Sequence, residues 1–214
     1  MTDTVLGIFA KPPEAGKVKT RLCPPLTGAE AAAFYQTALH ETINVFSTLG
    51  IDLVLFHAGT GDYFRQHFPH LQLRPQAEGD LGTRLEQALR GLLADGYQRA
   101  ALIGSDSPDL PPKVVDAAFS ALREHSCVTI PAGDGGYVLI GESQHHPGLF
   151  ADIPWSTAEV FAATQRRAAA FNLSCATVGE WEDCDDWGSV LALLERSPKS
   201  ATAQYVRDNL ARYL

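Results

Sequence analysis

The sequence predicts a three-layer α/β/α domain built on a mostly parallel central sheet. Three observations lead there. Short, nearly continuous apolar runs, the pattern of strands buried on both faces, alternate with longer stretches whose apolar residues recur at helical spacing. The apolar runs break abruptly into Gly, Ser, Asp, Pro or Lys, which is loop chemistry at strand ends. No repeat, linker or low-complexity segment interrupts the 214 residues, a length suited to one well-buried core, so a single domain over 1–214 is expected.

Composition narrows the function. With 45% hydrophobic and 20% charged residues the chain is of the globular type, and no stretch approaches a bilayer span. A net charge of -8 argues against a general nucleic-acid or membrane-surface binder. An anionic ligand would have to be met by a local cluster of cations. Met1-Thr2-Asp3-Thr4 lacks the basic and apolar regions of a signal peptide, so the expected location is cytoplasmic. Cys23, Cys127, Cys175 and Cys184 are scattered without metal-finger spacing and are expected to be reduced thiols.

Residues 4–10 read as the first buried strand. Directly after it, residues 11–21 hold three lysines and an arginine in an otherwise acidic protein. Pro12, Pro13 and Gly16 keep this segment from becoming a helix. Backbone N–H groups and the Lys11, Lys19 and Arg21 head groups could converge there on phosphate; a solvated charged loop is the alternative, and the position directly after the first strand favours phosphate. Neither GxxxxGK[ST] nor GxGxxG is present. Thr27-Gly28-Ala29-Glu30 then resembles a capping box opening an amphipathic helix to about Leu49, with His40 expected on its outer face. A strand at 51–57, a short helix at 63–68 and a short strand at 71–76 follow.

In Gly79-Asp80-Leu81-Gly82-Thr83-Arg84, two glycines bracket the start of a helix running to about Leu93. This turn could hold a phosphate or let a base approach the backbone; equally, Asp80 could be an ordinary N-cap. The chain then reaches its central strand at residues 100–103, ending in Gly104-Ser105-Asp106-Ser107-Pro108-Asp109. Ligands of open α/β sheets bind outside the carboxyl ends of such strands. Asp106 could therefore meet a cation there, or it could merely cap the helix starting near Pro111.

A helix to Glu124 and a strand at 126–131 lead into Gly133-Asp134-Gly135-Gly136-Tyr137. So many glycines allow close backbone approach to a ligand, and a β-hairpin turn explains Asp134-Gly135 equally well. His145-His146 reads as surface. Trp155 stands beside the Ser/Thr start of a helix to about Phe171, followed by a strand at 173–178. Glu180, Glu182, Asp183, Asp185 and Asp186 crowd the start of the next helix, more acid than dipole compensation needs, and Asp183 and Asp185 could face one side.

Lys11-Pro12-Pro13-x-x-Gly16-x-Val18-Lys19-Thr20-Arg21-Leu22, Gly79-Asp80-Leu81-Gly82-x-Arg84, Gly104-Ser105-Asp106-Ser107-Pro108, the Pro131 to Gly141 segment and Trp155-Ser156-Thr157 occur in that order. Together they resemble the DUF2064 family, a branch of the nucleotide-diphospho-sugar transferases with a GT-A-like fold. The resemblance implies that Lys11, Lys19 and Arg21 grip nucleotide phosphates and that Asp106 and a late Asp hold Mg²⁺ or Mn²⁺. Asp185 fits the late position, but Asp186 and Trp187 depart from the family's Asp-x-Asp-Thr pattern, so Asp183 stays in play. Asp109 is a further candidate ligand. Gly16, Gly79, Gly82, Arg84 and Ser105 complete the expected nucleotide site. Asp134, Gly135, Tyr137 and Trp155 are the expected acceptor side; Tyr137 and Trp155 could stack on a sugar, or be core.

The expected function is a Mg²⁺-dependent nucleotidyl or glycosyl transferase using an NTP or nucleotide-sugar and a small-molecule acceptor. Lys19, Arg21 and Asp106 would carry the chemistry by positioning and charge neutralisation, since no histidine has the setting of a general base. The sequence leaves room for a homodimer. A non-catalytic nucleotide-binding regulatory module is the competing class. A phosphohydrolase fits less well, because the DxDx[TV] nucleophile pattern is missing.

Overall fold

The computed structural model describes residues 2–214. Its strands are β1 (Thr4–Ala10), β2 (Asp52–His57), β3 (Gln72–Pro75), β4 (Arg99–Ile103), β5 (Cys127–Pro131), β6 (Tyr137–Glu142) and β7 (Cys175–Thr177). They form one seven-stranded sheet in the order β3-β2-β1-β4-β6-β5-β7. Every neighbouring pair is parallel except those made by β6, which runs against both β4 and β5.

The helices are α1 (Gly28–Phe46), α2 (Asp62–His67), α3 (Leu81–Ala94), α4 (Pro112–Ala121), α5 (Val160–Ala170), α6 (Trp187–Arg196) and α7 (Ala201–Asn209). The pleat of β1 shows how they layer. Leu6 and Ile8 join Leu39 and Ile43 of α1, Phe64 of α2 and Phe119 of α4 in one core. Val5 turns the other way, into a second core with Leu85 and Leu89 of α3 and Ala168 of α5. The predicted three-layer arrangement follows directly from this alternation.

A third apolar cluster lies outside α1, where Phe34 meets Val190 and Leu193 of α6 and Val206 of α7. Leu22 and Cys184, both fully buried, belong to this cluster as well. Two widely separated parts of the chain are thereby packed back to back.

Local chemistry explains the element ends. Thr27 and Glu30 form the capping box of α1, and Asp80 caps α3 by accepting from the Thr83 N–H at 2.8 Å. The glycine cluster after β5 is the turn of the β5–β6 hairpin, where Asp134 Oδ1 accepts from the Gly136 N–H at 2.8 Å. Gly135 has φ +87°, and a Cβ there would stand 2.1 Å from the Ala158 carbonyl oxygen, so only glycine fits.

Three sequence expectations are corrected. Cys127 and Cys175 are not free thiols: in-register partners on β5 and β7, with Cα atoms 4.5 Å apart, they are joined by a disulfide. His40 is not on an outer face; it bonds the Tyr63 hydroxyl at 3.2 Å and packs on Phe68. His145 is not a surface residue either. Its ring lies 3.2 Å from Glu86 and 3.5 Å from Glu142, whose side chain is fully buried at the end of β6.

Burial pushes the Glu142 carboxyl up to about 8. A carboxyl raised above its ordinary 4.5 binds more protons folded than unfolded, so its contribution to stability falls as pH climbs from about 4.5 to about 8. Glu142→Gln keeps an acceptor for the His146 N–H. We therefore expect this variant to gain stability over wild type steadily between pH 5 and pH 8 in urea denaturation; a pH-independent difference would contradict the assignment.

Candidate active site

The basic loop leaves β1 at Ala10 and cannot coil, because Pro12 and Pro13 follow at once. Lys19 adopts a left-handed conformation, φ 46° and ψ 39°, which costs an L-residue about 1–2 kcal/mol. The single helical turn Thr20–Leu22 follows, and burial of Leu22 in the third cluster anchors it. Anchoring Leu22 sends the Lys19 side chain inward, where it is 4% exposed, and the Arg21 side chain to the rim, where it is 75% exposed.

At the end of β4 the buried Ser105 shares a 2.8 Å hydrogen bond with the Tyr35 hydroxyl, which accepts from the Lys11 N–H at 3.0 Å. One tyrosine from α1 thus fastens the β1 loop to the β4 loop. Burial raises the Tyr35 phenol to about 12, so it stays a neutral donor. The acidic segment is fastened just as directly: the Cys184 N–H donates to the Asp106 carbonyl at 2.8 Å. With Cys184 buried, Asp183 and Asp185 on either side of it both reach the pocket wall.

The charges interlock. Lys19 Nζ lies 2.6 Å from Asp106 Oδ1 and 3.0 Å from Asp185 Oδ1, and Arg21 approaches Asp185 Oδ2 at 3.5 Å. Ser107 Oγ donates to Asp183 Oδ1 at 2.5 Å. Burial, then the neighbouring Asp106 charge, pushes the Asp183 carboxyl up to about 6. Burial alone would lower the Lys19 ammonium, but Asp106 and Asp185 outweigh it and hold it above its usual range.

These groups line a cavity of about 480 Å³ at the carboxyl ends of β1 and β4. Its other walls come from the first turn of α3, including Arg84 and Leu85, and from Tyr137, Val138 and Ile140 of β6. No histidine among the described residues lines it. Among the described residues, no three His, Cys, Asp or Glu side chains are already arranged to hold a metal ion.

The DUF2064 family profile, described as an uncharacterized protein conserved in bacteria, matches residues 41–157. A provisionally named nucleotide-diphospho-sugar transferase from Desulfovibrio desulfuricans G20 superposes with a TM-score of 0.92 at 30% identity, over 99% of this chain and 96% of that one. This chain belongs to the DUF2064 family. More distant likenesses show the same fold. The manganese complex of Rv0371C from Mycobacterium tuberculosis H37Rv matches at 15% identity and TM-score 0.52, over 89% of this chain and 98% of that one. A CMP:2-keto-3-deoxy-manno-octonic acid synthetase complexed with CTP matches at 12% identity and TM-score 0.52, over 99% of each chain. No curated protein matches the sequence. The DUF2064 chain therefore has the nucleotide-diphospho-sugar transferase fold.

Of the residues singled out in this DUF2064 sequence, Lys11, Lys19, Arg21, Arg84, Ser105, Asp106, Asp185 and Tyr137 meet at the cavity, with Asp183 beside them. The others do not line it. Gly16 is a turn with φ +76° packed near Gly28, and Gly79, at φ +113°, gives its carbonyl to Arg84 Nε at 3.0 Å. Gly82 is pressed against Trp155 and the Phe150 carbonyl, where a Cβ would come within 2.7–2.8 Å. Asp134 and Gly135 belong to the hairpin turn, and Trp155 stands behind the wall, edge-on to Tyr137 at 6.5 Å. Asp106 does not cap α4, whose N-cap is Pro111. Tyr35 was not singled out because, in sequence, it is one aromatic among the core positions of an amphipathic helix.

Asp109 is also corrected as a candidate metal ligand. Its side chain is 2% exposed and already saturated by Arg196 at 2.8 and 3.1 Å, Ser197 at 2.7 Å and Trp181 Nε1 at 3.2 Å. Arg196→Met should destabilise the fold by about 3–5 kcal/mol in urea denaturation, the scale for orphaning a buried charge. Wild-type stability in that variant would return Asp109 to the list of free carboxylates.

Proposed function

We propose that this DUF2064 protein is a divalent-metal-dependent transferase that binds a nucleoside triphosphate or a nucleotide-sugar. One observation carries the reading: Lys19 and Arg21 meet Asp106 and Asp185 on the wall of one cavity at the carboxyl edge of the sheet. Cations facing carboxylates are what a metal-bound polyphosphate requires. Asp106 and Asp185 present hard oxygen donors, and a two-carboxylate set suits Mg²⁺, which completes its shell with water and substrate phosphates. Held by Asp106 and Asp185, such a metal would neutralise charge on the phosphates.

The chain's own residues then divide the work. Lys19 and Arg21 balance charge on the phosphates, and the Tyr35–Ser105 link holds the two loops at fixed separation. Arg84, in the first turn of α3, opposes the helix dipole and gains if an anion lies beside it. Tyr137, Val138 and Ile140 give the far wall an apolar character suited to an acceptor or a base. Among the described residues no histidine lines the wall, and this reading assigns the catalysis to positioning and electrostatic stabilisation.

The basic loop favours nucleotidyl transfer, in which an acceptor phosphate oxygen attacks the α-phosphorus and pyrophosphate leaves. The name given to the 30%-identical relative favours a nucleotide-sugar donor instead. The leaving product separates the two: pyrophosphate for the first, a nucleoside diphosphate or monophosphate for the second.

A thermal-shift panel of NTPs and nucleotide-sugars, with and without Mg²⁺, tests the proposal. Wild type should be stabilised by at least one nucleotide, more so with Mg²⁺. Asp106→Ala should lose the Mg²⁺-dependent part. Arg21→Ala should weaken every phosphorylated ligand about tenfold, as expected for one hydrogen bond to a charged group worth ~1.5 kcal/mol. No shift with any nucleotide would sink the reading.

A further inference from the structure

The Lys19 ammonium has an odd setting for a group whose sole task is to hold phosphate. Arg21 waits at the rim, whereas Lys19 is sunk between the two carboxylates that the proposed function assigns to a metal, 2.6 Å from one and 3.0 Å from the other. Its left-handed backbone aims it there, and burial of Leu22 three residues on holds that backbone in place. We infer that Lys19 is an internal counter-cation, occupying the charge position a metal would take between Asp106 and Asp185, so that divalent ion and polyphosphate bind cooperatively. This inference rests on the reading of Asp106 and Asp185 as metal ligands.

Asp106 and Asp185 face one another closely enough to share one ammonium, and without a cation they would repel. Lys19 removes that repulsion and satisfies two of its own three N–H donors. A divalent ion taking the same two oxygens would stand in like-charge contact with Nζ, so Lys19 must withdraw before the ion can settle. Metal alone offers the displaced ammonium no new acceptor in a setting where its side chain is 4% exposed. Phosphate oxygens do offer one, because an ammonium donates well to an anion. Lys19 therefore couples the two binding events, and by linkage each ligand tightens the other.

Equilibrium dialysis of Mn²⁺ at matched free metal, with and without inorganic pyrophosphate, reads this coupling without any turnover. Wild type should take up Mn²⁺ weakly alone and at least tenfold more tightly with pyrophosphate. Lys19→Met should bind Mn²⁺ alone at least tenfold more tightly than wild type and gain far less from pyrophosphate. Lys19→Gly should behave alike, and glycine accepts the left-handed backbone, so loss of charge is separated from loss of fold. Folded Lys19 variants with unchanged or weaker affinity for Mn²⁺ alone would overturn the counter-cation role and leave the metal-polyphosphate reading standing. Wild-type Mn²⁺ uptake indifferent to pyrophosphate would overturn it without recourse to any variant. No Mn²⁺ uptake by any form, pyrophosphate included, would remove the metal-polyphosphate reading too.

Discussion

The pocket depends on a backbone hydrogen bond, from the Cys184 N–H to the Asp106 carbonyl, together with the burial of the Cys184 side chain beside Leu22. The bond ties the turn after β4 to a segment from the far end of the sequence. The apolar contact ties that segment to the turn after β1. Once Cys184 is drawn into the cluster formed by α1, α6 and α7, its two acidic neighbours have the cavity to face. Three loops that share no local sequence are thus held in register by two contacts, neither of which involves a charged side chain. The electrostatics of the site rests on a hydrophobic and hydrogen-bonded frame.

That frame matters because the charges alone would not assemble. Asp106, Asp183 and Asp185 repel one another, and the burial of Asp183 worsens the cost. A protein of net charge -8 also has no long-range attraction for an anion. On the proposed function, recognition of polyphosphate is a short-range affair between a few oxygens and the positive groups of the β1 loop. Screening at physiological salt confines those interactions to about 8 Å.

Much of this was legible in the sequence. Buried strands, the capping box at Thr27 and the loop chemistry after Ile103 are written in short windows, and so the layers and the position of the pocket could be read. Asp109 could not be separated from Asp106 by sequence, since only the fold brings Arg196 and Ser197 onto it. Tyr35 and Cys184 look like core residues and are core residues; their hydrogen bonds to distant partners leave no local mark. His145 fails for a similar reason only in part: Glu86 arrives from α3, whereas Glu142 stands three residues upstream at the end of β6 and was within reach of a local reading. The glycines of the Gly79 and Asp134 turns were ambiguous between ligand approach and packing, and Trp155 and Ala158 decide for packing at Gly82 and Gly135.

The reversed direction of β6 has a consequence for how the pocket is encoded. Because that strand enters the sheet from the edge at which its neighbour β4 leaves, the far wall is supplied by the opening residues of a strand, Tyr137 and Val138, and not by a loop that follows one. Most charged groups of the cavity are written in residues 11–21, 104–106 and 183–185, joined by Arg84 of α3, and the far wall in a hairpin of its own. On the proposed function, selectivity for the second substrate can therefore drift by changes in that hairpin while the side that handles charge is left undisturbed.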